Sequence, residues 1–137
     1  DIFEGSYYDV AVYKLDQAKD DLESAKLLLD AGKYKAANNR AYYSCFHSVG
    51  AALALEPIAF KKHKDTLAYF NKNYVHTEVF AKSWGRRIAK LEVIRHKSDY
   101  DDFYIASREE ALVQIETAEE IMLGIATYVN NKHESDK

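Results

Sequence analysis

The run Asn38-Asn39-Arg40-Ala41-Tyr42-Tyr43-Ser44-Cys45-Phe46-His47 gathers the side chains best suited to chemistry in this chain of 137 residues. On a helix, Arg40, Tyr43, Ser44 and His47 stand at i, i+3, i+4 and i+7 and share one face, with Asn39, Tyr43 and Phe46 as the adjacent stripe. A guanidinium presents a planar two-donor fork that fits phosphate, and an imidazole changes charge near neutral pH. The face therefore predicts a phosphate held beside a proton carrier. The same residues also suit a structural role, in which Arg40 pairs with an Asp and His47 is a satisfied core histidine.

Two further pieces carry polar function. Arg95-His96-Lys97-Ser98-Asp99-Tyr100-Asp101 places Arg95 and Asp99 at i, i+4, where they can pair, or where basic residues answer the negative end of a helix. Lys61-Lys62-His63 opens a short helix. Other chemistries lack their motifs. There is no Gly-rich phosphate loop, no Gly-x-Ser-x-Gly elbow and no His-Glu-x-x-His. His47, His63, His76, His96 and His133 contain no i, i+4 pair, so neither a metal nor any other cofactor is expected. The single Cys, Cys45, excludes a disulfide framework and reads as core, because His47 two residues on lies on a different helix face.

Charge is unevenly spread. The net charge is −3, yet residues 61–97 carry ten Lys/Arg against Asp65, Glu78 and Glu92, a local +7. Residues 1–60 sum to −3 and residues 98–137 to −7. This argues against a protein that coats nucleic acid along its whole surface. The basic segment still suits a phosphate or a short stretch of RNA, or else a solvated helix face opposite acidic neighbours.

The elements that must position these residues read as helices. One Pro and 5 Gly are too few for the turns of an all-β fold. Helical stripes run through Leu15, Ala18, Leu22, Ala25 and Leu29 in a first helix of about Tyr8–Ala31, closed by Gly32. The second, about Tyr34–Leu55, is Ala-rich and apolar nearly all round, which predicts the central helix; Pro57 ends it by excluding Glu56 from the α region. A loop of Pro57–Lys62 leads to a short helix, His63–Asn73. A fourth, Glu78–Lys97, points Val79, Phe80, Trp84, Ile88, Leu91 and Ile94 inward, and an acidic turn, Ser98–Ala106, follows. Ser107-Arg-Glu-Glu110 is a capping-box start for the last helix, which runs to about Asn131. The expected fold class is all-α: one domain over residues 1–137, core about 8–131, as an up-and-down bundle of four long helices plus one short helix. The longest run without a formal charge, Ala41–Leu55, is too short for a membrane span. No basic-then-apolar leader opens the chain, which begins with Asp rather than Met, and a reduced, cytoplasmic setting is the expectation.

The run from Ala36 through His47, the later Lys62-His63, Arg95 with Asp99-Tyr100, and the closing Ala-rich acidic helix together resemble the HEPN domain. The likeness is to its small stand-alone bacterial and archaeal branch, and it covers about residues 10–130. It implies an all-α bundle that forms a homodimer and works beside a minimal nucleotidyltransferase in a two-gene module, often toxin–antitoxin. Many HEPN proteins are metal-independent endoribonucleases with an Arg-x(4–6)-His signature late in the chain, before a Tyr. Here the late site reads Arg95 to Asp99-Tyr100, with an Asp where the His would stand. The literal Arg-x(6)-His is Arg40 to His47. Under the resemblance, His47 serves as base or acid, Arg40 and Arg95 hold the phosphate, Tyr43 or Tyr100 orients or donates, and Asp99 positions Arg95 or His47. Asn39, Tyr43, Lys62 and His63 are the candidate binding residues. Alternatives are a non-catalytic module that binds a nucleotide or a partner, and a purely structural helical adaptor.

Overall fold

The computed structural model describes residues 2–136, with side chains from Tyr7 to Asp136. Five α-helices are formed: α1 (Ile2–Asp30), α2 (Tyr34–Leu53), the short α3 (His63–Phe70), α4 (Ser83–Tyr100) and α5 (Arg108–Ser135). Four are long and one is short, and among the described residues there is no strand. None of these helices is long and apolar enough to cross a membrane.

The α1–α2 hairpin follows from its turn. Gly32 has φ +75°, Lys33 N–H donates to Leu28 O at 2.9 Å, and Gly32 N–H donates to Leu29 O at 3.0 Å, the paired bonds of a Schellman cap. That reversal lays α2 antiparallel against α1, with the small residues Ala18, Ala25, Ala37 and Ala41 all fully buried. Ser44 Oγ donates to Ala18 O at 2.8 Å inside this contact. Helix α2 is packed against α1, α3, α4 and α5, so the sequence expectation of a central helix holds. It stops at Leu53, two residues before the expected Leu55, because a turn already forms at Glu56, whose N–H reaches Leu53 O.

Helix α4 departs from the expectation at both ends. Glu78 does not start it. That residue sits at φ 62°, and Phe80 N–H bonds back to Tyr74 O, so the chain turns here and the helix begins at Ser83. Val79, expected inward, is exposed, while Phe80 is buried from the turn through its rings against Phe70, Tyr74 and Trp84. At the other end α4 continues through Ser98, Asp99 and Tyr100, where a turn was expected. The expected short helix to Asn73 is instead α3 followed by a π-helical turn, Asn71–Val75. The cap of α5 is half the expected box. Glu110 N–H donates to Ser107 Oγ at 3.1 Å, but the Glu110 carboxylate accepts from the Tyr104 hydroxyl.

Two glycines are required by packing. Asn71 Oδ1 lies 2.9 Å from where a Gly85 side chain would start, which seats the π turn on α4. At Gly124 a Cβ would stand 2.8 Å from Trp84 Cη2, a rigid ring that is itself nearly buried. Gly124→Ala is therefore expected to lower the urea unfolding midpoint. Overpacking of about 1–3 kcal/mol outweighs the roughly 1 kcal/mol gained in helix propensity. An unchanged or raised midpoint would show that Trp84 gives way freely.

Candidate functional site

The α1–α2 contact brings Asp21 of α1 against the polar face of α2. Its side chain is 11% exposed, and its two oxygens serve two partners. Arg40 Nη2 donates to Asp21 Oδ1, and His47 Nδ1 lies 2.7 Å from Asp21 Oδ2. A carboxylate only accepts, so Nδ1 carries the hydrogen, and in the neutral imidazole the lone pair lies on Nε2.

A second group forms where α2 meets the end of α4. Asn39 Nδ2 donates to both Asp99 oxygens at 3.2 and 3.0 Å, and Arg95 Nη1 pairs with Asp99 Oδ2 at 3.5 Å. Beneath it Asn38 Nδ2 donates to Ser98 Oγ in the buried interior. The two groups are joined, because Arg40 Nη1 donates to Asn39 Oδ1 at 3.1 Å. The continuation of α4 past Lys97 is what delivers Ser98 and Asp99 to these partners.

Aromatic rings close the circuit. Arg95 lies over Tyr42 and Tyr43 at 4.7 and 5.5 Å, and Arg40 over Tyr43 at 5.2 Å. Tyr43 thus contacts both guanidiniums. The start of α3 supplies His63, whose ring stacks on Phe46 at 3.8 Å and whose Nδ1 is 3.2 Å from the Tyr42 hydroxyl. Phe46 in turn meets His47 edge-on.

The environment tunes these groups. Burial raises the Tyr42 phenol to about 12, partly offset by Arg95 beside it, so it stays neutral within hydrogen-bond distance of His63 Nδ1. Burial and then the charge of Arg95 lower His63 below its usual value, with His47 adding to the effect and Glu92 opposing it. The folded chain therefore holds a proton on His63 less readily than the unfolded chain does. The stability this gives is complete above the ordinary histidine value, about 6.5, and is lost as pH falls through the folded-state value. In an NMR titration the His63 Cε1–H is expected to turn at lower pH than a free histidine. Arg95→Gln should move that midpoint upward, and a midpoint that stays put would remove Arg95 as a cause. Cys45, fully buried, is pushed up to about 12 by burial and is no nucleophile at neutral pH.

Of the residues singled out from sequence, Asn39, Arg40, Tyr43, His47, His63, Arg95 and Asp99 come together in this connected cluster. Tyr100 and Lys62 do not. Tyr100 is 67% exposed with its ring against His96, and the exposed Lys62 meets the cluster only through the helix it caps. Asp99 pairs with Arg95 and not with His47, whose partner is Asp21, a residue the motifs did not single out. Its signal is positional: Asp21 lies three residues past Ala18 and four before Ala25, a carboxylate on the inward stripe of α1. Among the described residues no group of three or more His, Cys, Asp and Glu is arranged to hold a metal.

A family model described as the HEPN domain matches residues 11–125. A curated Thermotoga maritima protein described as UPF0332 is 33% identical over 103 residues, 75% of this chain and 78% of that protein. A Methanocaldococcus jannaschii protein named putative toxin is 35% identical over 83 residues, 61% of this chain and 62% of its own length. A second protein of that organism with the same description is 31% identical over 97 residues, covering 71% of this chain and 66% of the relative.

Proposed function

Since the chain belongs to the HEPN domain family, we propose that it is a toxin-like subunit that cleaves RNA at the α1–α2–α4 cluster without a metal ion. The observation that carries this reading is the Asp21–His47 pair beside Arg40, which leaves His47 Nε2 free as a base next to a phosphate-binding fork. In this mechanism His47 Nε2 takes the proton of a ribose 2′-hydroxyl. The 2′-oxygen attacks phosphorus, and the bond to the 5′-oxygen breaks. Arg40 and Arg95 hold the charge that develops on the phosphate oxygens. Tyr43, in contact with both guanidiniums, protonates the leaving oxygen and regains its proton from His47 through solvent. Relatives named putative toxin support the toxin-like reading. Homodimer formation and pairing with a minimal nucleotidyltransferase rest on the family resemblance. Side chains such as Tyr13, Leu27, Phe103 and Ile105 supply exposed apolar surface for such contacts.

A second reading draws on a different observation. Both guanidiniums already answer carboxylates of this chain, Arg40 with Asp21 and Arg95 with Asp99. That arrangement suits a module that binds a nucleotide or a protein partner and cleaves nothing. Incubating purified protein with total RNA in EDTA separates the two. Cleavage by the natural sequence that disappears in Arg40→Ala supports the nuclease. Intact RNA, with tight binding to a nucleotidyltransferase partner, supports the module.

A further inference from the structure

One face of His47 borders a cleft of about 520 Å³ between α1, α2 and the segment 54–60, within the size range of small-ligand sites. Its walls are mostly apolar, and three large apolar side chains that stay exposed, Tyr7, Val10 and Phe60, all face it. The rings are held in place before anything binds. Phe46 is stacked on His63 at 3.8 Å, and Phe60 leans on Tyr69 at 5.4 Å.

The polar groups in the cleft are few. Glu56 is engaged, both oxygens accepting from the Tyr69 and Tyr74 hydroxyls. Among the described residues Lys14 has no carboxylate partner, and its stem lies along Gly50, where an added Cβ would stand 3.4 Å from Lys14 Cδ. Aromatic walls with one unpaired ammonium and the site imidazole fit a flat heterocycle attached to an anion.

We propose that this cleft seats the nucleobase next to the phosphate held at the Arg40–His47 cluster, with Phe46 and Phe60 as stacking faces and Lys14 meeting the neighbouring phosphate. The proposal rests on the nuclease reading for the position of that phosphate, and it makes single-stranded RNA the substrate class, since only an unpaired base can enter such a seat.

The test compares adenosine 5′-monophosphate with ribose 5-phosphate, which lacks the base, by NMR titration of the full chain. The nucleotide is expected to bind roughly tenfold to a hundredfold more tightly, the range that base stacking on aromatic side chains supplies. Gly50→Leu projects into the cleft, where an added Cβ first meets the flexible end of Lys14, and should bring the nucleotide down to the affinity of ribose 5-phosphate. Phe60→Ala should remove part of the preference. Equal binding of the two probes by the natural sequence, or binding of neither, overturns the base seat. A preference that survives Gly50→Leu in a protein with unchanged helix content also overturns it. So does a light-scattering mass that halves in Gly50→Leu while the nucleotide preference stays, since the cleft would then belong to a second copy. RNA cleavage in EDTA without nucleotide preference sinks the seat alone. Nucleotide preference without cleavage sinks the nuclease reading alone.

Discussion

His47→Gln is expected to slow RNA cleavage in EDTA by roughly 10²–10⁴-fold, the usual contribution of a positioned proton carrier. Helix content by circular dichroism should be unchanged. The glutamine amide can still donate to Asp21, so the α1–α2 contact keeps a hydrogen bond, but it has no basic nitrogen to take the 2′-hydroxyl proton. Arg40→Lys should lose most activity alongside it. Arg40 spends one donor on Asn39 and one on Asp21 and keeps others for substrate. An ammonium has three donors around one atom and cannot span those partners and a phosphate together. The comparison of activity with folding decides the assignment. If both variants unfold, His47 and Arg40 are structural groups of the bundle, and the binding-module reading takes over.

Asp21→Asn should be nearly as damaging, although Asp21 touches no substrate in the proposed mechanism. It is a positioning residue: its carboxylate fixes the His47 tautomer and supplies the counter-charge for Arg40. A carboxamide can present its N–H to Nδ1, which moves the imidazole hydrogen to Nε2 and removes the base. Loss of the equivalent carboxylate in a catalytic triad costs about 10⁴-fold, and a fall of roughly 10²–10⁴-fold in kcat is expected here, with KM changed far less. Asp21 and His47 act as a unit, so the double variant Asp21→Asn, His47→Gln should be no slower than His47→Gln alone. Multiplying losses would separate the two residues and end this account. Asp21 is largely buried while a third of the Arg40 side chain meets solvent. Removing the carboxylate charge should therefore cost about 1–3 kcal/mol in urea unfolding, less than the loss of a fully buried pair.

Much of the fold was legible because it is written locally. The stripe from Leu15 to Leu29, the Gly32 stop, the Ala-rich centre of α2 and the Ser107 cap each state a period or a boundary within a few residues, and helices obey such short-range signals. The start of α4 was not legible in the same way. Val79 and Phe80 continue an apolar pattern that looks helical, but the turn at Glu78 is set by Phe80 packing among Phe70, Tyr74 and Trp84, contacts that cross elements. The end of α4 differs for a related reason. Ser98 and Asp99 read as turn residues by composition, and their hydrogen bonds to Asn38 and Asn39 on α2 give them tertiary partners in the last helical turn.

The site divides along the same line. Residue types and the 3.6-residue period alone determined that Arg40, Tyr43 and His47 share a face and that Arg95 can reach Asp99 one turn on. Which carboxylate meets which cation was decided by how α1 and α4 cross α2, and only the tertiary structure holds that information. It gave Asp21 to both Arg40 and His47, left Asp99 to Arg95 and Asn39, turned Tyr100 out to solvent, and joined His63 to the cluster through Phe46 and Tyr42. The physical reason is range: the helical period places side chains on a face over about 5–6 Å, whereas the pairing of polar groups 19 to 60 residues apart in sequence depends on where the packed helices place them.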